Sequence, residues 1–218
     1  MAAHPDDEVL GVGGTIPAIL EGGGRVTILI VTDGSSAQYP GDEARLREKQ
    51  EQAHEAARRL GCDGVVQWDF PDMGLDTIPH IELNRALDRF VADGGFDTIF
   101  VHHRGDINLD HQRIHESTLV ATRPTPGSPV RQILAYEVNS STEWGARGLG
   151  AAFRPTVYVD IAGTIETKLR ALEAYDGELR EHPHPRSLEA VRDRARVRGH
   201  EVGVTHAEAF ELLLMRVT

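Results

Sequence analysis

Hydrophobic and polar positions divide the chain into short apolar runs and longer stretches with one polar face. The β-branched run at 26–31 ends at Asp33 and Gly34, a pattern typical of a buried strand that breaks into a loop. Residues 42–60 form a long polar-faced stretch, and Gly61 follows it. Because glycine commonly ends a helix, this stretch is predicted to be helical.

Further runs of both kinds extend the alternation along the chain. They predict strands at 65–70, 98–102, 133–138 and 157–161, and helices at 81–92, 165–179 and 187–198. Residues 107–122 are predicted to begin as a loop and continue as a helix, and a last apolar run lies at 210–215. Strands that alternate with helices indicate a mainly parallel sheet with helices on both faces. The predicted fold class is therefore α/β and Rossmann-like, and residues 1–218 are expected to form a single domain.

Composition and charge exclude several classes of protein. The 218 residues are 40% hydrophobic and 26% charged, ordinary values that exclude collagen, coiled coils and global disorder. With 23 basic and 34 acidic side chains, the formal net charge of −11 disfavours nucleic acid as a partner. No apolar run reaches about 18 residues, the start does not resemble a signal peptide, and Cys62 is the single cysteine. We therefore expect a cytoplasmic protein with no membrane span.

The first candidate chemical group lies at the start of the chain. His4, Asp6, Asp7 and Glu8 place an imidazole and three carboxylates within five positions, a density of charge that a cation would relieve. The alternative is that Asp6 and Asp7 only cap the helix that begins near Val9. These residues alone leave both interpretations open.

The second group directly follows the predicted strand at 98–102. It includes Asp110 and His111, and ligands of open parallel sheets bind beyond the carboxyl ends of the strands. One imidazole and one carboxylate from the first group, with one imidazole from the second, would make three ligands for zinc or another divalent transition metal. A fourth position would remain for water, as in catalytic zinc sites.

At these residues the sequence resembles the PIG-L/LmbE family of zinc-dependent N-deacetylases. The matching segments are 3–8 (Ala-His-Pro-Asp-Asp-Glu), 9–14, 31–34 and 110–111, with further likeness at 136–137, 183–187 and 207–210. The resemblance implies that His4, Asp7 and His111 hold one zinc ion per chain and that Asp6 acts on the bound water. It also implies a small-molecule substrate, an N-acetylated amino sugar or a GlcNAc-containing conjugate, that loses its acetyl group.

Two alternatives to this function stay open. One is an amidase that acts on a thiol conjugate, an activity which the same family includes. The other is a catalytically silent protein that keeps the fold and binds a ligand. The family resemblance also leaves a homo-oligomer open, although no interface is evident from the sequence.

Asn108 departs from the family pattern, because many members have a histidine at this position. An amide donates a hydrogen bond to an oxyanion but supplies no proton near neutral pH. We therefore expect Asn108 to stabilise the oxyanion and Asp6 to carry the proton in both directions. His102, His103 and His184 are the alternative acids.

The start of the chain is a second departure. Family members normally have an apolar strand before the first motif, whereas only three residues precede His4 here. We expect this first strand to be truncated, its place in the sheet to be vacant, and the ligand loop to follow a frayed terminus.

Four residues are candidates for substrate binding. Asp33 and Asp72 follow predicted strands and are acceptors for sugar hydroxyls, although Asp33 could instead cap a turn. Arg47 could bind a hydroxyl or phosphate, although arginines on helices are mostly solvated. His184 belongs to the polar, proline-containing segment 181–187, which we expect to form a rim over the site.

Two further positions are expected to support the ligands from behind. Asp110 precedes His111, and His115 follows it by four residues on the predicted helix, so His115 could face the same metal. The family pattern uses only His111, which favours a supporting role for His115. The glycines within 11–14 lack the preceding strand of a dinucleotide loop and are expected to let the first helix approach the sheet closely.

Overall fold

The structure, a computed structural model, describes residues 1–62, 64–145 and 152–217. Its strands are β1 (Thr27–Thr32), β2 (Gly64–Phe70), β3 (Thr98–His102), β4 (Gln132–Tyr136), β5 (Val157–Asp160) and β6 (Ala207–Met215). Its helices are α1 (Asp7–Val12), α2 (Thr15–Glu21), α3 (Glu43–Leu60), α4 (His80–Gly94), α5 (Leu109–Ala121), α6 (Thr142–Gly145), α7 (Ile165–Leu172) and α8 (Leu188–His200). Across these ranges, no helix is both long and apolar enough to cross a membrane.

The strand pairing confirms the α/β, Rossmann-like class. β1 pairs in parallel with β2, and β3 pairs in parallel with β4. β6 lies between β4 and β5 and runs antiparallel to both, so the sheet is only partly parallel. The apolar run at 210–215 lies in β6, but the pattern indicated no direction for this segment, because a hydrophobic pattern is the same in either orientation.

Local chemistry fixes the ends of the longest helix. The Asp42 carboxylate accepts hydrogen bonds from the backbone N–H groups of Ala44 and Arg45, as an N-cap does. At the other end Gly61 adopts a φ of 77°, a conformation that glycine reaches without strain. Both predicted ends of α3 are thus confirmed, whereas α7 ends at Leu172 and not at 179.

The first three residues join the two parts of the sheet. The Ala2 N–H donates to the Leu29 carbonyl (2.8 Å), and the Val31 N–H donates to the Ala2 carbonyl (3.0 Å). On the other side, the Met1 amine donates to the Phe100 carbonyl of β3 (2.8 Å). Ala2 and Ala3 are fully buried, so the expectation of a frayed terminus before His4 is wrong.

A cavity of about 770 Å³ lies next to Met1, between β1 and β3. Residues from both strands line it, among them Ile28 and Phe100. Residues 1–3 therefore fill one end of the space between the two strands, and the cavity occupies the rest of that space.

Two glycines allow the first helices to approach the sheet. A Cβ atom on Gly11 would lie 2.2 Å from the ring of Tyr136, and one on Gly14 would lie 2.7 Å from the Ile161 side chain. Both separations are far below van der Waals contact. The expected role of these glycines in close packing is thus confirmed.

Candidate metal centre

His4, Asp7 and His111 come together from two distant parts of the chain. His4 directly follows the segment that pairs with β1, Asp7 begins α1, and His111 lies in the first turn of α5. His4 Nδ1 and His111 Nε2 each lie 3.2 Å from Asp7 Oδ2, and the two nitrogens are 3.3 Å apart. The structure thus gathers the two imidazoles and the carboxylate that the resemblance assigned to zinc.

The separations of these three atoms fit a tetrahedral cation. Zinc bonds of about 2.0–2.1 Å put neighbouring ligand atoms of a tetrahedron roughly 3.3 Å apart. Asp7 Oδ1 is also buried, with no hydrogen-bond partner among the described residues. A buried carboxylate that has an unpartnered oxygen is a costly arrangement, and coordination of a cation compensates for it. His4, Asp7 and His111 could therefore hold one divalent metal ion.

Electrostatics in the protein without a cation also indicate a cation site. Burial lowers the pKa of His4, but the carboxylates of Asp110 and Asp7 outweigh it and raise the pKa to about 10. Burial likewise lowers the pKa of His111, and the charge of Asp7 with a contact from Asp106 raises it to about 9. The buried carboxylates thus favour positive charge on both imidazoles. A divalent cation supplies that charge directly.

The ring nitrogens that face away from the cluster also meet carboxylates. His4 Nε2 lies 3.1 Å from Asp110 Oδ2 and 3.5 Å from Asp72 Oδ1. These three residues are a second group that could hold a metal, and the two groups share His4. A neutral imidazole has one lone pair for a metal, so coordination at Nδ1 leaves Nε2–H to donate to Asp110.

Asp106 was not among the residues predicted from the sequence. Its Oδ2 lies 3.2 Å from His111 Nδ1 and accepts a hydrogen bond from Thr142 Oγ1 (2.7 Å), while its Oδ1 accepts one from Ser141. Burial raises the pKa of Asp106, but His111 and the two hydroxyls outweigh it and lower the pKa to about 2. The only signal in the sequence was its place directly after a strand.

Asp6 directly precedes Asp7, is buried, and does not cap α1 with its side chain. It occupies the N-cap position with a φ of 114°, yet its side chain accepts no hydrogen bond from the helix. The capping alternative is therefore wrong for Asp6. Burial raises its pKa to about 7, against the opposing effect of Arg186, whose Nη1 lies 3.1 Å from Asp6 Oδ2.

Asn108 caps the helix that carries His111. Its side-chain oxygen accepts from the Asp110 N–H (2.9 Å), which fixes the start of α5. Its Nδ2 lies 3.6 Å from the Met73 sulfur, a weak acceptor. The amide nitrogen thus has no strong partner among the described residues, and it remains available to donate to a ligand.

The alternative acids His102 and His103 are both held by buried contacts, and His102 Nε2 lies 3.6 Å from Asp7 Oδ2. His102 is fully buried, stacks on His111 with 3.8 Å between ring centroids, and accepts from the Ala3 N–H at Nε2 (2.8 Å). His103 is also buried, and its Nδ1 contacts Glu211 at 2.7 Å. A swing of either ring toward a substrate would break these buried contacts, which favours Asp6 over both rings as the acid. His184 accepts from the N–H of Arg186 (3.0 Å), the residue whose guanidinium contacts Asp6.

The other candidate residues divide between the centre and the surface. Asp72 lies at the centre beside His4, whereas His115 lies behind it and donates to the His102 carbonyl (2.8 Å). Asp33 accepts from the N–H groups of residues 35 and 36, so it caps a turn. Arg47 is mostly exposed on α3 and pairs with a glutamate of the same helix. Sequence reasoning placed Asp33 and Arg47 in the site, and no contact between either residue and the three converging side chains is described.

Comparison with known proteins gives a consistent assignment. Residues 1–122 match the family described as GlcNAc-PI de-N-acetylase (PIG-L). The chain is 27% identical over 184 residues to the uncharacterized deacetylase YaiS of Escherichia coli, which covers 80% of this chain and 88% of YaiS. It is also 26% identical over 190 residues to diacetylchitobiose deacetylase of Thermococcus kodakarensis. That match covers 82% of this chain and 68% of the Thermococcus protein. The fold is similar to that of N,N'-diacetylchitobiose deacetylase of Pyrococcus horikoshii, with a TM-score of 0.78 and 21% sequence identity. The match covers 97% of this chain and 81% of the Pyrococcus chain.

Proposed function

The chain belongs to the PIG-L family, and from this premise we propose that it is a zinc-dependent hydrolase that removes acetyl from an N-acetylated amino sugar or a GlcNAc-containing conjugate. One observation carries the proposal: two imidazole nitrogens and a carboxylate oxygen converge at 3.2–3.3 Å, and the buried residue Asp6 directly precedes the Asp7 that supplies that oxygen. The relative from Thermococcus, by its name, acts on an acetylated amino-sugar substrate.

In this proposal His4, Asp7 and His111 hold the metal. When bound, zinc lowers the pKa of a water from 15.7 to about 7 and polarises the acetamide carbonyl. Asp6 accepts the proton of the attacking water. Because burial raises its pKa to about 7, Asp6 is suited to accept and release a proton near neutral pH.

Asn108 and Asp6 have the two remaining roles, which are stabilisation of the oxyanion and protonation of the leaving nitrogen. The Asn108 Nδ2 group donates a hydrogen bond to the oxyanion that forms as water adds to the carbonyl. An amide releases no proton near neutral pH, so Asp6 returns its proton to the departing nitrogen when the C–N bond breaks. The products are acetate and a free amine.

The substrate is held at the rim in this scheme. Asp72, which lies beside His4, and His184, which contacts Arg186, are the predicted sugar-binding residues retained in this scheme. Asp110 and His115 support the ligands from behind. The cytoplasmic location, the single domain and the oligomeric state stay as predictions.

The test combines zinc analysis with acetate release. We expect the purified protein to bind one zinc ion and to release acetate from N-acetylglucosamine derivatives, including diacetylchitobiose. Asp6→Asn should keep the zinc and lose 10²- to 10⁴-fold in kcat, the usual range for removal of a general base. Asp88→Asn, an exposed aspartate on α4, is the matched control and should retain full activity.

Other outcomes separate the alternatives. Zinc-dependent cleavage of a thiol conjugate without acetate release from amino sugars would identify the amidase. Failure to bind zinc and to release acetate would favour the silent ligand-binding protein and contradict the proposal.

A further inference from the structure

Arg186 makes the one ion pair described for the side chain of Asp6. Its Nη1 lies 3.1 Å from Asp6 Oδ2, and that oxygen is buried and accepts no hydrogen bond from the described residues. The Asp6 side chain is 3% exposed, so bulk water does little to orient it. The direction of this carboxylate therefore depends on the guanidinium.

The guanidinium of Arg186 is itself held by separate segments. Its Nε donates to Ser140 Oγ (2.8 Å), in the loop after β4. Its Nη1 also donates to Glu178 Oε2 (3.3 Å), and Lys49 of α3 pairs with the other oxygen of Glu178. These contacts fix the position of the arginine before any substrate arrives.

We propose that Arg186 is a positioning residue, which directs the Asp6 carboxylate toward the attacking water through the contact between Nη1 and Oδ2. The inference rests on the proposed function of Asp6 and adds a residue outside the segments that supply the metal ligands. A general base must lie within hydrogen-bond reach of the proton it removes, and a buried carboxylate free to rotate spends part of its time turned away.

The backbone of Asp6 makes such a support necessary. Its φ of 114° lies in a region that residues other than glycine rarely adopt, so the surrounding contacts have to maintain it. The neighbouring carboxylates of Asp7 and Glu8 repel the Asp6 carboxylate, and the positive charge of Arg186 opposes that repulsion. Position and charge thus both come from one side chain.

The test is a double-mutant cycle on acetate release. We expect Arg186→Met to lower kcat 10- to 100-fold with KM changed less than twofold, because supporting residues of metal sites commonly have effects of this size. In the Asp6→Asn background the same substitution should lower the residual kcat less than threefold. Arg186→Lys, which keeps the charge, should recover part of the loss. Arg180→Met is the matched control, since that arginine donates only to nearby carbonyls and should tolerate the change.

Two readouts do not depend on catalysis. Zinc affinity of Arg186→Met should match that of the unchanged protein, and its crystal structure should have the Asp6 carboxylate rotated or in more than one orientation. A rise in KM with kcat unchanged would assign Arg186 to substrate binding and overturn the proposal. Additive losses in the cycle, loss of zinc, or an unmoved Asp6 would overturn it as well. If the unchanged protein releases no acetate, the proposed function fails, and the orientation of Asp6 still tests the contact.

Discussion

The Asp106 carboxylate lies 3.2 Å from Nδ1 of His111, on the side of the imidazole ring opposite the nitrogen that faces His4 and Asp7. Thr142 donates to the same carboxylate oxygen at 2.7 Å and limits its movement. A carboxylate in this place keeps the proton on Nδ1 and leaves the Nε2 lone pair for a metal. Asp106 would therefore favour the metal-binding tautomer of His111 without being a ligand itself.

Asp106→Asn tests this relationship. We expect it to weaken zinc binding 10- to 100-fold, because the amide no longer fixes the tautomer or adds negative charge behind the ring. Competition with a chromogenic chelator measures the affinity, and Asp88→Asn serves as the exposed control. An unchanged dissociation constant would show that Asp106 has only a structural role.

A pair of histidines on α5 separates metal ligation from packing. His111→Ala removes one of three converging donors and should abolish stoichiometric zinc binding. His115→Ala removes a ring that bonds to the His102 carbonyl, so its zinc content should stay near one per chain. Metal analysis after dialysis gives the comparison. Equal zinc loss in both variants would mean that His115 is also a ligand.

Glu8 makes stability depend on pH. Burial raises its pKa from 4.5 to about 7, and a hydrogen bond from the Tyr175 hydroxyl (2.6 Å) opposes this only in part. Between these pH values the folded chain keeps a proton that the unfolded chain releases, so the stability contributed by this group is complete below pH 4.5 and is lost as pH rises to 7.

Glu8→Gln should remove this dependence. Between pH 4.5 and 7.5, the unchanged protein should lose about 2 to 3 kcal/mol more of its free energy of unfolding than the variant loses. Urea unfolding at several pH values, on metal-free samples, measures the slope. Parallel stability profiles for the two proteins would contradict the assignment to Glu8.

Gly11→Ala tests the contact between α1 and the sheet. The added methyl group would lie 2.2 Å from the ring of Tyr136, which is buried and donates from its hydroxyl to the Met1 carbonyl. We expect a loss of about 1 to 3 kcal/mol, the usual cost of overpacking. Gly163→Ala is the control, because no atom lies within 4 Å of its Cβ position. Thermal unfolding of both variants measures the difference. Similar unfolding temperatures for the two variants would contradict the close contact between Gly11 and Tyr136.

The sequence was most informative where a single local rule applies. The apolar run at 98–102 coincides with β3, and Asp42 and Gly61 bound α3 as their chemistry requires. The meeting of His4 with His111 followed from the family resemblance and not from a local pattern, because the three residues before His4 show no strand in the sequence.

What the sequence did not predict depends on long-range geometry. Asp106 and Arg186 have no diagnostic spacing from the residues they support, and their contacts exist only after distant loops fold together. The antiparallel direction of β6 and the early end of α7 are likewise set by tertiary packing. Periodicity carries no information on either feature.

The three residues between β1 and β3, of which Ala2 and Ala3 are fully buried, give the proposed ion a mechanical role. His4 follows those residues directly, whereas His111 belongs to α5, the helix after β3. A metal bound by both side chains would therefore cross-link the two parts of the sheet at the point where residues 1–3 join them. Chelation should then loosen the β1–β2 half from the rest before the whole chain unfolds. Amide hydrogen exchange at Ala2 and Val31 would detect that opening as faster exchange in the metal-free protein.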